Sequence, residues 1–260
     1  MKLRFALILL CLLLVASVFA GCGNSKNEKP IEPNTKGTFT DMTDIESSVS
    51  TPDESGADAD NIEGFTPEKT AQGVTEQMSI EDTSLVISAF GSYTGRFVED
   101  GTDESVENIS ALVVRNAGEK PVQVANVTLT NESIEYNFVI STLPAGCSVL
   151  VLETDRKACN DKLSECTVSA EVAQCESLST EQDRVKVTFD GTSLHLKNLT
   201  DRNFRAVYVR YKNYTAGNVY LGGITYNATF NNVEANSESV YESSHFYTGG
   251  SQVLMVQIVE

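Results

Sequence analysis

Three kinds of side chain in this 260-residue chain bear first on chemistry: histidines, clustered carboxylates and cysteines. Only His195 and His245 are present, and a hydrolase built on a nucleophile needs a base beside it. His195 stands between Leu194 and Leu196, so strand alternation sends it to the opposite face as a surface residue. His245, in Ser243-Ser244-His245-Phe246, reads as a loop hydrogen-bonding residue. No Gly-x-Ser-x-Gly elbow, His-Glu-x-x-His pair or phosphate-cradling Gly loop occurs. Glu99-Asp100-Gly101-Thr102-Asp103-Glu104 gathers carboxylates without the alternate spacing or distal bidentate Glu of an EF-hand, and reads as a solvated hairpin loop. The chain is expected not to be an enzyme and to hold neither metal nor cofactor.

At the N-terminus, Lys2 and Arg4 lead into an apolar stretch from Phe5 to Phe19, which stops at Phe19-Ala20-Gly21-Cys22. This resembles the bacterial lipoprotein signal and its lipobox, in which small residues precede the cysteine that is lipidated. The resemblance implies that residues 1–21 are a signal peptide and that Cys22 carries a palmitate-type anchor. The protein would then sit on the extracytoplasmic face of a bacterial cell membrane. Two or more acyl chains hold such an anchor stably, where one would bind reversibly.

Of six cysteines, Cys11 lies in the signal and Cys22 is the lipid site, which leaves Cys147, Cys159, Cys166 and Cys175. In an exported protein that even set permits two disulfides in three connectivities, with free buried thiols as the alternative. Links of Cys147 to Cys166 or of Cys159 to Cys175 would pin the connection between residues 154 and 183. The spacing does not suit zinc, since no Cys-x-x-Cys pair and no nearby His occurs.

The formal charge of −17 argues against nucleic acid, which needs clustered Lys and Arg to release counterions. Between Gly23 and Asp82 fourteen acids face four bases, among apolar residues that share no period. Residues 22–83 are therefore expected to form a disordered spacer, with an r.m.s. span on the order of 40–45 Å. Sequons at Asn108, Asn126, Asn131, Asn198, Asn213 and Asn227 read as turn and strand residues in a bacterial chain.

Beyond Thr83, short runs of Val, Ile, Leu, Tyr and Thr between turn residues predict an all-β sandwich. The segment from Leu112 to Asn131 aligns without a gap to that from Leu194 to Asn213, at a shift of 82 residues. Asn116 and Asn198 open matching turns, as Asn tolerates the dihedrals a turn needs. Leu143-Pro144-Ala145-Gly146 matches Val233-Glu234-Ala235-Asn236 at a shift of 90, so the second copy has gained about eight residues near Tyr214 to Thr225. Ala125, Val127 and Leu129 share one strand face, as do Val207, Val209 and Tyr211. Val122 and Phe204 have the wrong parity for that face, which predicts a β-bulge or a change of sheet.

This pattern resembles the small immunoglobulin-like sandwiches of bacterial envelope proteins, of the FxLYD and cell-adhesion-related (CARDB-like) types, over Ser84 to Glu153 and Val185 to Glu260. The resemblance implies two tandem immunoglobulin-like domains, at 84–183 with its Cys-rich connection and at 184–260, acting as binding or adaptor modules. Seven of the nine tyrosines fall between Tyr208 and Tyr247. If Val207, Val209 and Tyr211 face the core, Tyr208, Arg210 and Lys212 face out. Tyr208, Arg210, Tyr214 and Tyr220 beside the Gly-rich insertion then make the candidate surface for a protein or glycan of the envelope. The alternative is a structural or accessory subunit of a membrane transport or secretion complex, contacted along a strand edge.

Overall fold

The computed structural model describes residues 58–132, 134–215, 219–246 and 250–260. The signal, Cys22, the spacer up to residue 57 and Tyr247 lie outside them. The described residues are all-β, with two single 3-10 turns and no α-helix. Two short strands, β1 (Phe65–Pro67) and β2 (Met78–Ser79), come first. The first repeat copy then supplies β3 (Leu85–Phe97), β4 (Glu104–Asn116), β5 (Val122–Asn131), β6 (Ile134–Leu143), β7 (Ser148–Leu152) and β8 (Thr167–Gln174). The second supplies β9 (Val185–Asp190), β10 (Ser193–Asn198), β11 (Phe204–Tyr214), β12 (Val219–Val233), β13 (Glu238–Glu242) and β14 (Ser251–Val259).

Both copies divide their strands alike. The first, second and fifth pair on one side, and the third, fourth and sixth on the other. In the first copy Leu112, Val114, Val149 and Val151 from β4 and β7 meet Val127, Leu129, Phe138 and Ile140 from β5 and β6 in one core. In the second, Leu194 and Leu196 meet Val207, Val209 and Phe230. Val122 and Ala125 are both buried despite opposite parity, and the register against β8 shifts between Val122 and Val124. One extra residue there turns the chain inward, as a β-bulge does. Phe204 and Val207 repeat this burial.

The Asn turns are the best-preserved joint of the repeat. Asn116 Nδ2 donates to Lys120 O at 2.9 Å and Pro144 O at 3.3 Å, while its Oδ1 accepts from Gly118 N at 3.1 Å. Asn198 Nδ2 donates to Arg202 O at 2.7 Å and Glu234 O at 3.0 Å, and its Oδ1 accepts from Thr200 N at 2.9 Å. Both side chains are fully buried, so each amide satisfies carbonyls that water cannot reach. Asn116→Ala or Asn198→Ala orphans these groups and should cost about 2–3 kcal/mol each, read from urea unfolding midpoints at unchanged slope.

The two faces of the β3-β4-β7 layer explain where the folded chain begins. Val149-Leu150-Val151-Leu152 and Leu112-Val113-Val114 are apolar without alternation, and every one of these residues is buried. Such runs need cover on both sides. Residues 58–67 supply it: Asp58 caps the turn Ala59–Asn61, and Ala59, Ile62 and Phe65 pack with Ala89, Val113, Leu150 and Leu152. β1 then pairs with β3. The expectation of a spacer running to residue 83 is thus corrected for residues 58–82, which are folded onto the first copy. In the second copy the corresponding outer face alternates to polar, with His195 Nδ1 3.1 Å from Glu238 Oε1 and Ser193 Oγ donating to Glu242 Oε1 at 2.7 Å.

The four cysteines are free thiols. Cys166 immediately precedes β8 and Cys175 follows it, so the strand, on the order of 25 Å long, separates them. Cys159, whose N donates to Asn108 O, lies at the Cys166 end, and Cys147, whose O accepts from Asn116 N, lies at the other. The pairings of Cys147 with Cys166 and of Cys159 with Cys175 would join opposite ends of the sandwich, whereas a disulfide needs Cα atoms within about 7 Å. Burial pushes the Cys159 and Cys166 thiols up to about 11. Native alkylation of these two at pH 8 should run roughly a hundredfold slower than that of an exposed thiol, because the thiolate is the nucleophile, in a mass-spectrometric time course.

Candidate functional site

One sheet runs through both copies, in the order β1-β3-β4-β7-β12-β11-β14, with β2 on β3. The link is a parallel pairing that sets Val219, Tyr220 and Leu221 against Ser148, Val149 and Leu150. It uses the residues the second copy has gained: β12 is 15 residues long where β6 has 10. The inserted Gly-rich segment read as a recognition loop therefore forms the internal joint of the molecule.

Past Leu221, backbone approaches backbone too closely for a side chain. A Cβ on Gly223 would stand 1.8 Å from Val139 O, and Gly222 adopts φ +81 with its hydrogen directed at Val98. Glu99 of the β3–β4 loop accepts Gly223 N at 2.8 Å, Ile224 N at 3.2 Å and Leu152 N at 2.8 Å. From β11, Lys212 Nζ donates to the carbonyls of Gly222, Gly223 and Ile224 at 3.0, 2.9 and 2.6 Å. One short stretch of strand thus gives its amides to an acid of the first copy and its carbonyls to a base of the second. Burial pushes the Lys212 ammonium down to about 7, against the pull of Glu99. Burial likewise raises the Glu99 carboxyl, and the backbone amides partly offset it.

Both side chains depart from their sequence reading. Glu99 was expected in a solvated loop, and its carboxylate is enclosed at the joint. Lys212 was expected to face out; it does point away from the second core, but into the joint, where it is fully buried. The sequence signal for this was present but weak, in a second-copy insertion carrying adjacent glycines next to a strand where Arg205, Arg210 and Lys212 replace Gln123, Thr128 and Thr130 of the first copy.

The remaining candidates fall in different places. Tyr220 is 2% exposed and stacks on Tyr214, ring centroids 4.9 Å apart. Both hydroxyls donate to Gln252 Oε1, so this pair braces the joint and does not form an outer surface. Tyr208 and Arg210 do stand on the outer face of β11, part-exposed between buried Val207, Val209 and Tyr211. His195 lies on the outer face of β10. His245 stacks on Tyr226 at 4.9 Å, with Nδ1 3.9 Å from Asp103 Oδ2. Asp100 and Glu104 pair with Arg156 at 2.9 and 2.8 Å, and hydrogen bonds from Thr102 hold the Asp100 carboxyl below its ordinary value. An open groove of about 350 Å³ beside this cluster is lined by Phe97, Glu99, Thr154 and Arg156, but the guanidinium is committed to its two acids and to the Phe97 ring 4.3 Å below. Among the described residues, no three His, Cys, Asp or Glu side chains gather closely enough to hold a metal ion.

No family model and no curated protein matches this chain.

Proposed function

We propose that this chain is a lipid-anchored bacterial envelope protein, carrying two immunoglobulin-like sandwiches, that acts by binding without catalysis. Its recognition surface is the outer face of β12-β11-β14, centred on Tyr208 and Arg210. The anchoring rests on the Phe19-Ala20-Gly21-Cys22 sequence. The observation that carries the binding reading is that the side chains of Tyr208 and Arg210 make no hydrogen bond or ion pair with any described residue, in a chain rich in acids. A part-exposed aromatic beside an unengaged guanidinium is the composition of recognition surfaces. Cells grown with labelled palmitate should label the intact protein and not Cys22→Ala. In-cell crosslinks should concentrate on residues 206–210 and 227–231; links scattered evenly over both copies would remove the face.

A second reading, an accessory subunit held along a strand edge, is favoured by β8, which pairs with β5 alone and leaves one edge open over Thr167–Gln174. Open edges accept added strands from partners. Crosslinks confined to residues 167–174, to one membrane protein, would select it.

A further inference from the structure

The repeat supplies its own control for the recognition face. In the first copy the outer face of β5 presents Asn126, opposite Val139 and Glu171, and Thr128, opposite Asn137 and Ser169. At the corresponding places the second copy presents Tyr208, opposite Thr229 and Gln257, and Arg210, opposite Asn227 and Met255. The carboxylate of Glu171 has become the amide of Gln257, and Glu135 of β6 corresponds to Thr225 of β12 at the shift of 90. One face has thus shed both its acids and gained a phenol and a guanidinium, while the chain as a whole carries −17.

The charges exclude two classes of partner. A polycation would find its complement elsewhere on the acidic surface, and a polyanion would meet one arginine set in a strongly negative molecule. What remains on the face beside Met255 are groups that both donate and accept, Gln257 and the pair Asn227 and Thr229, whose side chains share one hydrogen bond at 2.8 Å, around a ring that offers an apolar side for stacking. Hydroxyls also donate and accept, and Arg210 adds donors for oxygens that lack hydrogen. From this match we propose that the outer face of β12-β11-β14 binds an uncharged, hydroxyl-rich glycan strand, with Tyr208 stacked on a sugar ring and Arg210 and the amides hydrogen-bonded to its oxygens. The proposal rests on the recognition reading above and adds the class of partner.

The test is calorimetric titration of the lipid-free mature chain with hexasaccharides of glucose, N-acetylglucosamine, mannose and galactose, beside oligogalacturonate as the acidic comparison. At least one neutral hexasaccharide should bind, with an affinity unchanged between 50 and 500 mM salt, because no charge is neutralised. Tyr208→Ala and Arg210→Gln should each weaken it about tenfold, with unchanged unfolding midpoints, while Asn126→Ala on the first copy leaves it intact. Binding of oligogalacturonate alone, binding to none of these sugars, or equal loss in Asn126→Ala overturns the glycan. If crosslinks in cells still gather on this face and lead to a protein, the recognition reading survives that result. If they do not, both fall.

Discussion

Gly223→Val is expected to destabilise the protein by about 4 kcal/mol or more, in the range reserved for substitutions with no room to relax. The position faces Val139 O at 1.8 Å and Val151 Cγ2 at 2.9 Å from where its Cβ would be. Neither β6 nor β7 can withdraw without opening a core whose members are fully buried. Even Gly223→Ala must push the strands apart, so in urea both variants should lose midpoint. Gly73→Ala serves as the comparison: its Cβ would meet nothing within 4 Å, and only its φ of +77 is strained, which costs about 1–2 kcal/mol. A Gly223→Val variant as stable as Gly73→Ala would show that Gly223 does not approach Val139 of β6 as closely as described.

Removing the acid of the joint should cost more than removing both charges. Glu99→Ala strands three backbone amides and leaves Lys212 buried with no counter-charge, a loss of about 3–5 kcal/mol. In Lys212→Met the side chain keeps its length and loses its charge, so the double variant Glu99→Ala/Lys212→Met should be more stable than Glu99→Ala alone. An additive double-mutant cycle would show that the two do not interact. The pH dependence separates them further. With its folded value pushed down to about 7 from the ordinary 10.5, Lys212 binds fewer protons in the folded chain than in the unfolded one between these limits. Stability therefore rises with pH from about 7 to 10.5. Glu99 is raised from 4.5, so the folded chain holds more protons just above that value and stability falls as pH climbs from there. Wild type should pass through a minimum near neutrality, Glu99→Gln should lack the acid limb, and Lys212→Met should lack the alkaline one. A wild-type profile parallel to that of Lys212→Met from pH 7 to 10 would refute the assignment.

What the sequence made legible was local. The period-2 runs, the Asn turns and the wrong parity of Val122 and Phe204 are each set by residues close in the chain, and each has its counterpart in the fold. The misread features all depend on a partner distant in sequence. Alternation placed Lys212 outside the second core correctly, but could not say that β6 and Glu99 would cover it. Tyr214 and Tyr220 carry the composition of a recognition loop, and only the pairing of β12 with β7 turns them inward. The apolar residues Ile62 and Phe65 share no period with their acidic neighbours, yet the two-sided apolar run of β7 demands a cover, and that demand was readable in Val149-Leu150-Val151-Leu152 before its source was.

The parallel pairing of β7 with β12 also has a kinetic side. Val219 meets Ser148 across about seventy intervening residues, which include β8 to β11, and such closures come at a high entropic cost. The first-copy core is completed by Tyr220 and Leu254 of the second copy, and the bond between the copies cannot form until both strands it joins are in place. During synthesis the first copy therefore waits with the β7 edge uncovered and Leu150 and Leu152 short of their neighbour Val219. That interval exposes an apolar strand edge to other chains, and it ends only when β12 has been made.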